Sequence, residues 1–417
     1  MKILHVCPLY YPSLGGNQIH IQLLSEKLAE LKQDVHLFTV NALVPAQFSR
    51  EDPSFKLLPE EENITGVHVR RFKIDYDLHD LLFKKIYKMR GGFRGLRVGL
   101  GQSYDYWEQG PLVPAMINAV RKLKPDLIVG IMNYPFTTYA CYLAKKFFHY
   151  PLAIMPITHI SDKRAFHPFL SKMYGAADAL IACTDFEKEH LMERGVEPKK
   201  IKVWPLGIQT QTFDNPDKEA VRKRFNLSQE PVIAYIGRKV THKGIEELIK
   251  AMPDVWQEFP SAKLFLAGET RPSFTPALKE CFAQLTDEQK KNIIHVEYFN
   301  EYAKKDLFAG IDILVMASEI DCFGIVYLEA WLSGKPVVAC KNTAQETIID
   351  DGVNGSLVEY GNVRDLASAL KKLLKDKPLR DKMGEAGRRK VRSTYNLDTY
   401  AQVVCDGYHQ MVKGNRK

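Results

Sequence analysis

One pattern limits what this chain can become: a short apolar run, a turn-rich loop, a helix with an apolar stripe and a second apolar run, in that order. It opens the sequence with Ile3-Leu4-His5-Val6-Cys7 and a loop from Pro8 to Gly16, after which Ile19, Leu23, Leu24, Leu28 and Leu31 recur at helical spacing and Val35–Val40 follows. It restarts at Pro231-Val232-Ile233-Ala234-Tyr235-Ile236-Gly237, with a loop over 238–244, a helix from Ile245 to about Phe259 and a run over 263–267. Short apolar runs bounded by turns suit strands buried on both faces, and a strand–helix–strand unit of this size crosses over right-handedly to make a parallel sheet.

Further strand-like runs at 127–131, 152–157, 179–183, 313–316 and 337–340 are separated by helical stretches. Both halves therefore read as doubly wound α/β domains, and two such domains predict a ligand in the cleft they face, at the carboxyl ends of the strands. The polar stretch around 213–218 divides them. The expected organisation is an N-terminal domain over 1–213, a C-terminal domain over 214–395 and a last helix over 396–417, marked by Leu397, Tyr400, Val404, Tyr408 and Met411.

The 417 residues are 45% apolar and 26% charged, which excludes a disordered chain. No apolar stretch reaches the roughly 20 residues needed to span a bilayer, and the N-terminal run is too short for a signal peptide. Seven cysteines without a C-x-x-C pair or zinc spacing point to a reducing cytoplasm, with neither a disulfide framework nor a structural metal. The net charge of +8 is regional: residues 70–97 carry nine Lys/Arg against three Asp, and residues 361–417 carry fourteen against six acids. Regional basic surfaces serve phosphates, anionic lipid or nucleic acid, or are plain solvated helical faces. No nucleic-acid recognition motif accompanies these.

Three segments carry chemistry. Gly15 and Gly16 stand before the first helix; the pair is either a tight turn or a place where an anion approaches the backbone at a helix N-terminus. The loop after residue 236 has the pattern Gly237-Arg238-x4-Lys243-Gly244, which puts two cations beside a helix start, a setting for a diphosphate and for the charge it develops on leaving. The segment from Ser318 to Ala339 begins after a strand ending near Met316. Within it Phe323, Gly324 and Ile325 can present backbone N–H groups at a helix start. Asp321 and Glu329, about two helical turns apart, line one face if the helix begins early, and such carboxylates accept hydrogen bonds from sugar hydroxyls.

The ordered combination of Gly15-Gly16, G-R-x4-K-G, D-x-F-G-x4-E and the following G-K-P-V-V-A resembles glycosyltransferase family 4 of the group 1 glycosyl transferases. The likeness extends through Glu346, Asp351-Gly-Val-Asn-Gly355 and Gly384-x-x-Gly387 to the final helix. It implies a GT-B fold, two Rossmann-like domains with the C-terminal helix returning to the N-terminal one. It also implies retaining transfer of a sugar from a nucleotide-diphosphate donor, UDP as the first expectation and GDP or ADP as alternatives, with no metal or other cofactor. Arg238 and Lys243 would then grip the diphosphate, Glu329 the ribose, and Phe323, Gly324 and Ile325 the sugar and phosphate. Gly15 and Gly16 would lie against the phosphates, Asp321 would meet the donor sugar, and His159 matches a family histidine beside that sugar. Two positions depart from the pattern: Asp321 replaces the first Glu of E-x7-E, and Asn342-Thr343 stands where a glycine pair precedes Glu346.

Between Leu81 and Arg97 the sequence reads as an amphipathic helix followed by a basic glycine-rich loop. It is either a contact for an anionic membrane surface, suiting a lipid-linked or cell-envelope glycan acceptor and a peripheral enzyme of polysaccharide biosynthesis, or an ordinary packed helix. Competing functions are another GT-B enzyme such as an epimerase, and a nucleotide-sugar-binding scaffold.

Overall fold

The computed structural model describes residues 1–13, 15–52, 55–85, 110–132, 134–157, 168–299 and 303–415. They form two compact units, one of residues 1–207 together with 397–417, the other of residues 208–396.

In the first unit the strands are β1 (Lys2–Val6), β2 (Asp34–Val40), β3 (Glu61–Ile64), β4 (Val67–Phe72), β5 (Leu127–Ile131), β6 (Leu152–Met155), β7 (Ala179–Ala182) and β8 (Ile201–Val203). They lie in the order β3-β4-β2-β1-β5-β6-β7-β8, every pair parallel except the β3–β4 hairpin at one edge. In β1, Ile3, Leu4, His5 and Val6 are all at most 1% exposed, as a central parallel strand covered on both faces must be.

The helix after β1 runs Gly16–Glu30 and buries His20, Ile21, Leu24, Ser25 and Leu28. Its buried stripe is thus rotated from the expected one, since Ile19, Leu23 and Leu31 are only half-buried. Two polar side chains take part because they have partners. His5 Nδ1 lies 2.8 Å from Ser25 Oγ, and its Nε2 lies 3.4 Å from the Tyr408 hydroxyl on the terminal helix Leu397–Asn415. His20 sits 3.3 Å from both the Gly207 carbonyl and the Tyr400 hydroxyl. The terminal helix belongs to the first unit through these contacts and through Trp204, whose ring meets that of Tyr408 at 5.9 Å. Burial pushes His5 down to about 3 and His20 down to about 4, so both are neutral in the folded protein near pH 7.

In the second unit the strands are β9 (Val232–Ile236), β10 (Lys263–Ala267), β11 (Ile293–Val296), β12 (Ile313–Val315), β13 (Val337–Cys340) and β14 (Gly355–Val358), in the order β11-β10-β9-β12-β13-β14 and all parallel. The order reverses between β9 and β12, so the loops leaving these two strands diverge to opposite sides and leave a crevice at their carboxyl ends. The helix Lys377–Thr394 packs on the helix Ile325–Leu332 so closely that a Cβ on Gly384 would lie 1.9 Å from the Gly334 carbonyl oxygen, and one on Gly387 would lie 2.0 Å from the Trp331 ring.

Part of the C-terminal basic character is spent on neighbours. Lys371 pairs with Asp254, Lys377 with Asp381, Arg388 with Glu385 and Lys390 with Asp350. All seven cysteines are buried and unpaired. Among the described residues no helix is long and apolar enough to cross a membrane.

Candidate functional site

The residues singled out in the C-terminal half gather at the crevice of the second unit. Arg238 is exposed in the loop after β9. Its carbonyl accepts a 2.6 Å hydrogen bond from Tyr235, whose phenol burial pushes well up, so that it stays a donor. Lys243 lies at the end of the same loop, and Gly244 caps the helix Ile245–Glu258 with a left-handed φ of 72°. That glycine is sterically required, because a Cβ there would fall 2.1 Å from the Ala317 carbonyl oxygen at the start of the loop after β12. The two loops are therefore in backbone contact.

They are also joined by charge. Lys243 Nζ is 2.8 Å from Asp321 Oδ2 and donates to the Ile320 carbonyl at 3.2 Å. Beside it, His242 Nδ1 is 2.9 Å from Glu319 Oε2, and the Glu319 amide donates to the His242 carbonyl at 3.0 Å. The Lys243–Asp321 pair is the more enclosed, with side-chain exposures of 21% and 15%.

The helix does not begin early enough to carry Asp321. It starts at Ile325, with Gly324 as its cap at φ 93°. Asp321 consequently lies in the loop and not on a helix face with Glu329. The two carboxylates have different partners: Glu329, 8% exposed, is held through Oε1 by Lys304 Nζ at 2.7 Å. Phe323 is buried, its ring edge-on to Tyr395 at 5.7 Å, and no side chain caps the helix that Gly324 and Ile325 start. First-turn N–H groups without a side-chain cap have no intrahelical acceptor and favour an anion. Tyr327, one turn on, donates to the Met316 carbonyl at 2.7 Å and fixes the helix to the end of β12.

Gly15 and Gly16 lie in the first unit, at the start of the helix Gly16–Glu30 after β1. Gly15 is extended, at φ 177°, and no side chain caps this helix. A turn needing glycine's left-handed freedom is thus not what places it there. The preceding loop is held by the buried Arg71, which ion-pairs with Glu62 and donates to the Tyr11 carbonyl at 2.7 Å. His159 lies outside the described residues, as does most of the segment 81–97. Just before that segment Tyr76–His79 is a short α-helix, and Asp80–Lys85, which leads into it, is a π-helical turn on which Leu81 and Leu82 are exposed.

At the departure before Glu346, Asn342 adopts φ 56° and donates its N–H to Glu346 Oε2 at 2.7 Å. Asparagine is the residue that most readily replaces glycine in this backbone region.

Two participants were not legible beforehand. Lys304 is separated from Glu329 by most of a strand–helix repeat, and only folding brings them together. Lys239, next to Arg238 in the same loop, is fully buried. Its ammonium donates to the carbonyls of Gly268 and Val296, knitting the ends of β10 and β11, and burial lowers it to about 8 against the pull of Glu297.

A doubly wound sheet with two lysine–carboxylate pairs and an exposed arginine at its switch point defines an α/β protein with a ligand crevice at the carboxyl ends of its strands. Comparison with known sequences gives the family. Residues 217–390 match the family described as glycosyl transferases group 1, and residues 14–212 match glycosyltransferase family 4. The chain belongs to these group 1 glycosyltransferases. It is 26% identical over 322 residues to the sulfoquinovosyl transferase SQD2 of Arabidopsis thaliana, a match covering 72% of this chain and 61% of that protein. The chain thus spans about three-fifths of the length of that relative. It is 26% identical over 420 residues to an uncharacterized glycosyltransferase of Methanocaldococcus jannaschii, covering 98% of each. The fold is that of Anabaena HepE, solved with UDP and glucose, at TM-score 0.74 and 18% identity over 98% of this chain and all of that one.

Proposed function

We propose that the protein transfers a sugar from a nucleotide-diphosphate donor to an acceptor hydroxyl with retention at the anomeric carbon. The observation that carries this reading is the meeting of the Arg238–Gly244 and Ser318–Gly324 loops at the switch point, with Lys243 and Asp321 in contact. Arg238 and Lys243 hold the diphosphate, joined by the N–H groups of Phe323, Gly324 and Ile325. Glu329 takes the ribose hydroxyls, and Asp321 a hydroxyl of the sugar. In the first unit the uncapped helix N-terminus at Gly15 and Gly16 is suited to an anion.

In the step itself the bond from the anomeric carbon to the diphosphate oxygen breaks while the acceptor oxygen bonds on the same face. The acceptor proton passes to the departing diphosphate, whose growing charge Arg238 and Lys243 stabilise. No metal is needed for this balance. UDP is the leading donor nucleotide, supported by its presence in the HepE complex; a lipid-linked or cell-envelope glycan is the leading acceptor.

Thermal unfolding with UDP, GDP, ADP and CMP tests the donor site. A nucleotide at about 100 times its dissociation constant adds roughly 2.7 kcal/mol and raises the midpoint by several degrees. One nucleotide should do so in the native protein and fail to in Arg238→Ala. No shift with any of them would remove the donor site and with it this reading. The segment Leu81–Arg97 is proposed to rest on an anionic membrane surface. Vesicles containing phosphatidylglycerol should then sediment the protein at low salt and release it at high salt, and an equal yield with neutral vesicles would refute this.

A further inference from the structure

Glu329 presents a physical problem that Lys304 solves. A carboxylate at 8% exposure either neutralises or needs a cation, because desolvation of an ion costs several kcal/mol. Lys304 stands at the start of the helix Lys304–Gly310, which leads into β12, and Glu329 on the helix that follows β12. Their contact at 2.7 Å uses Oε1. Fixing one oxygen fixes the plane of the carboxylate, and with it the direction of the lone pairs on the other. Lys304 is itself enclosed, at 19% side-chain exposure, so its ammonium is not merely trailing in solvent.

We infer that Lys304 is a positioning residue for donor recognition, keeping Glu329 ionised and aimed so that the site prefers a ribonucleotide over its 2′-deoxy counterpart. The inference rests on the reading of Glu329 as the ribose acceptor. A carboxylate accepts from two vicinal hydroxyls at once, whereas a neutral carboxyl or a misdirected one satisfies one at best. The preference for ribose is thus a property of the pair and not of Glu329 alone.

The test is a set of calorimetric titrations with UDP and 2′-deoxy-UDP, with the GDP and ADP pairs run alongside. The native protein should favour the ribose form by about tenfold or more. Lys304→Met should reduce that ratio to within about twofold of unity, while Lys304→Arg, which keeps the charge, should largely retain it. In a Glu329→Gln background, where the preference is already gone, Lys304→Met should change the ratio no further. Circular dichroism checks folding, and Lys304→Gln is the substitute if the Met variant does not fold. A Lys304→Met or Lys304→Gln protein with the native ratio overturns the inference. Native protein that binds nucleotides without ribose preference also overturns it while leaving the donor site standing. Native protein that binds no nucleoside diphosphate overturns both.

Discussion

Lys243→Met should weaken nucleoside-diphosphate binding about a hundredfold and slow turnover of the nucleotide sugar about a thousandfold. Two effects add. The variant loses a charge-assisted contact to phosphate, itself worth roughly 1.5–3 kcal/mol, and the larger stabilisation of the leaving group as its charge grows. It also strips Asp321 of the ammonium 2.8 Å away, leaving a mostly enclosed carboxylate beside an anionic ligand. The second effect is separable: Lys243→Met combined with Asp321→Asn should recover part of the binding but little of the turnover. Titration calorimetry and consumption of the nucleotide sugar read the two quantities. Turnover within about threefold of the native enzyme would take Lys243 out of the mechanism.

The second large effect is on stability in acid. His5 and His20 are buried and neutral, at about 3 and about 4, whereas in the unfolded chain each takes a proton near 6.5. Between these values the unfolded state binds more protons than the folded one, so stability falls as pH falls. Each histidine contributes about 1.4 kcal/mol per pH unit once the pH is below the unfolded value, and at pH 4.5 the two together cost on the order of 5 kcal/mol. That is comparable to the whole stability of many domains. The loss begins below about pH 6.5 and ceases once the folded values are passed. Calorimetric midpoints from pH 7 to pH 4.5 should fall steeply, and His20→Gln, which still hydrogen-bonds Tyr400 but does not titrate, should remove close to half the slope. A flat profile would mean that water reaches these rings.

The strands that the sequence made legible are those that are apolar from end to end. β5, β9 and β13 are flanked by strands on both sides and covered on both faces, so every position reads the same way. The hairpin β3–β4 escaped notice because Glu61-Glu62-Asn63-Ile64 lies at a sheet edge, where half the positions face water and charged residues are tolerated. β11 and β14 are the two edge strands of their sheet, and each carries a polar residue, His295 and Ser356.

In the site, the cationic loop was visible because Arg238 and Lys243 sit in one turn between a strand and a helix. The geometry of Asp321 was not: where the helix begins is decided by the left-handed φ of Gly324, and an eight-residue spacing carries no record of that. Lys304 and Lys239 were hidden for a different reason. Their partners are carbonyls and a carboxylate on other strands and helices, and a partner chosen by tertiary folding leaves no local pattern.

The close seat of the helix Ile325–Leu332 against Gly384 and Gly387 has a bearing on how such an enzyme can change. On that side no side chain can be enlarged at either glycine without displacing the backbone of Gly334 or the Trp331 ring, so variation there is shut off. The opposite end is a loop, 318–323, in which Glu319, Ile320 and Asp321 are not buried and Ser318, Cys322 and Phe323 are, so the middle of the loop can vary with least disturbance. Descent with altered sugar preference would therefore be written in that loop while the glycines behind it stay silent. In this chain the loop carries Asp321, where the family pattern it resembles has glutamate.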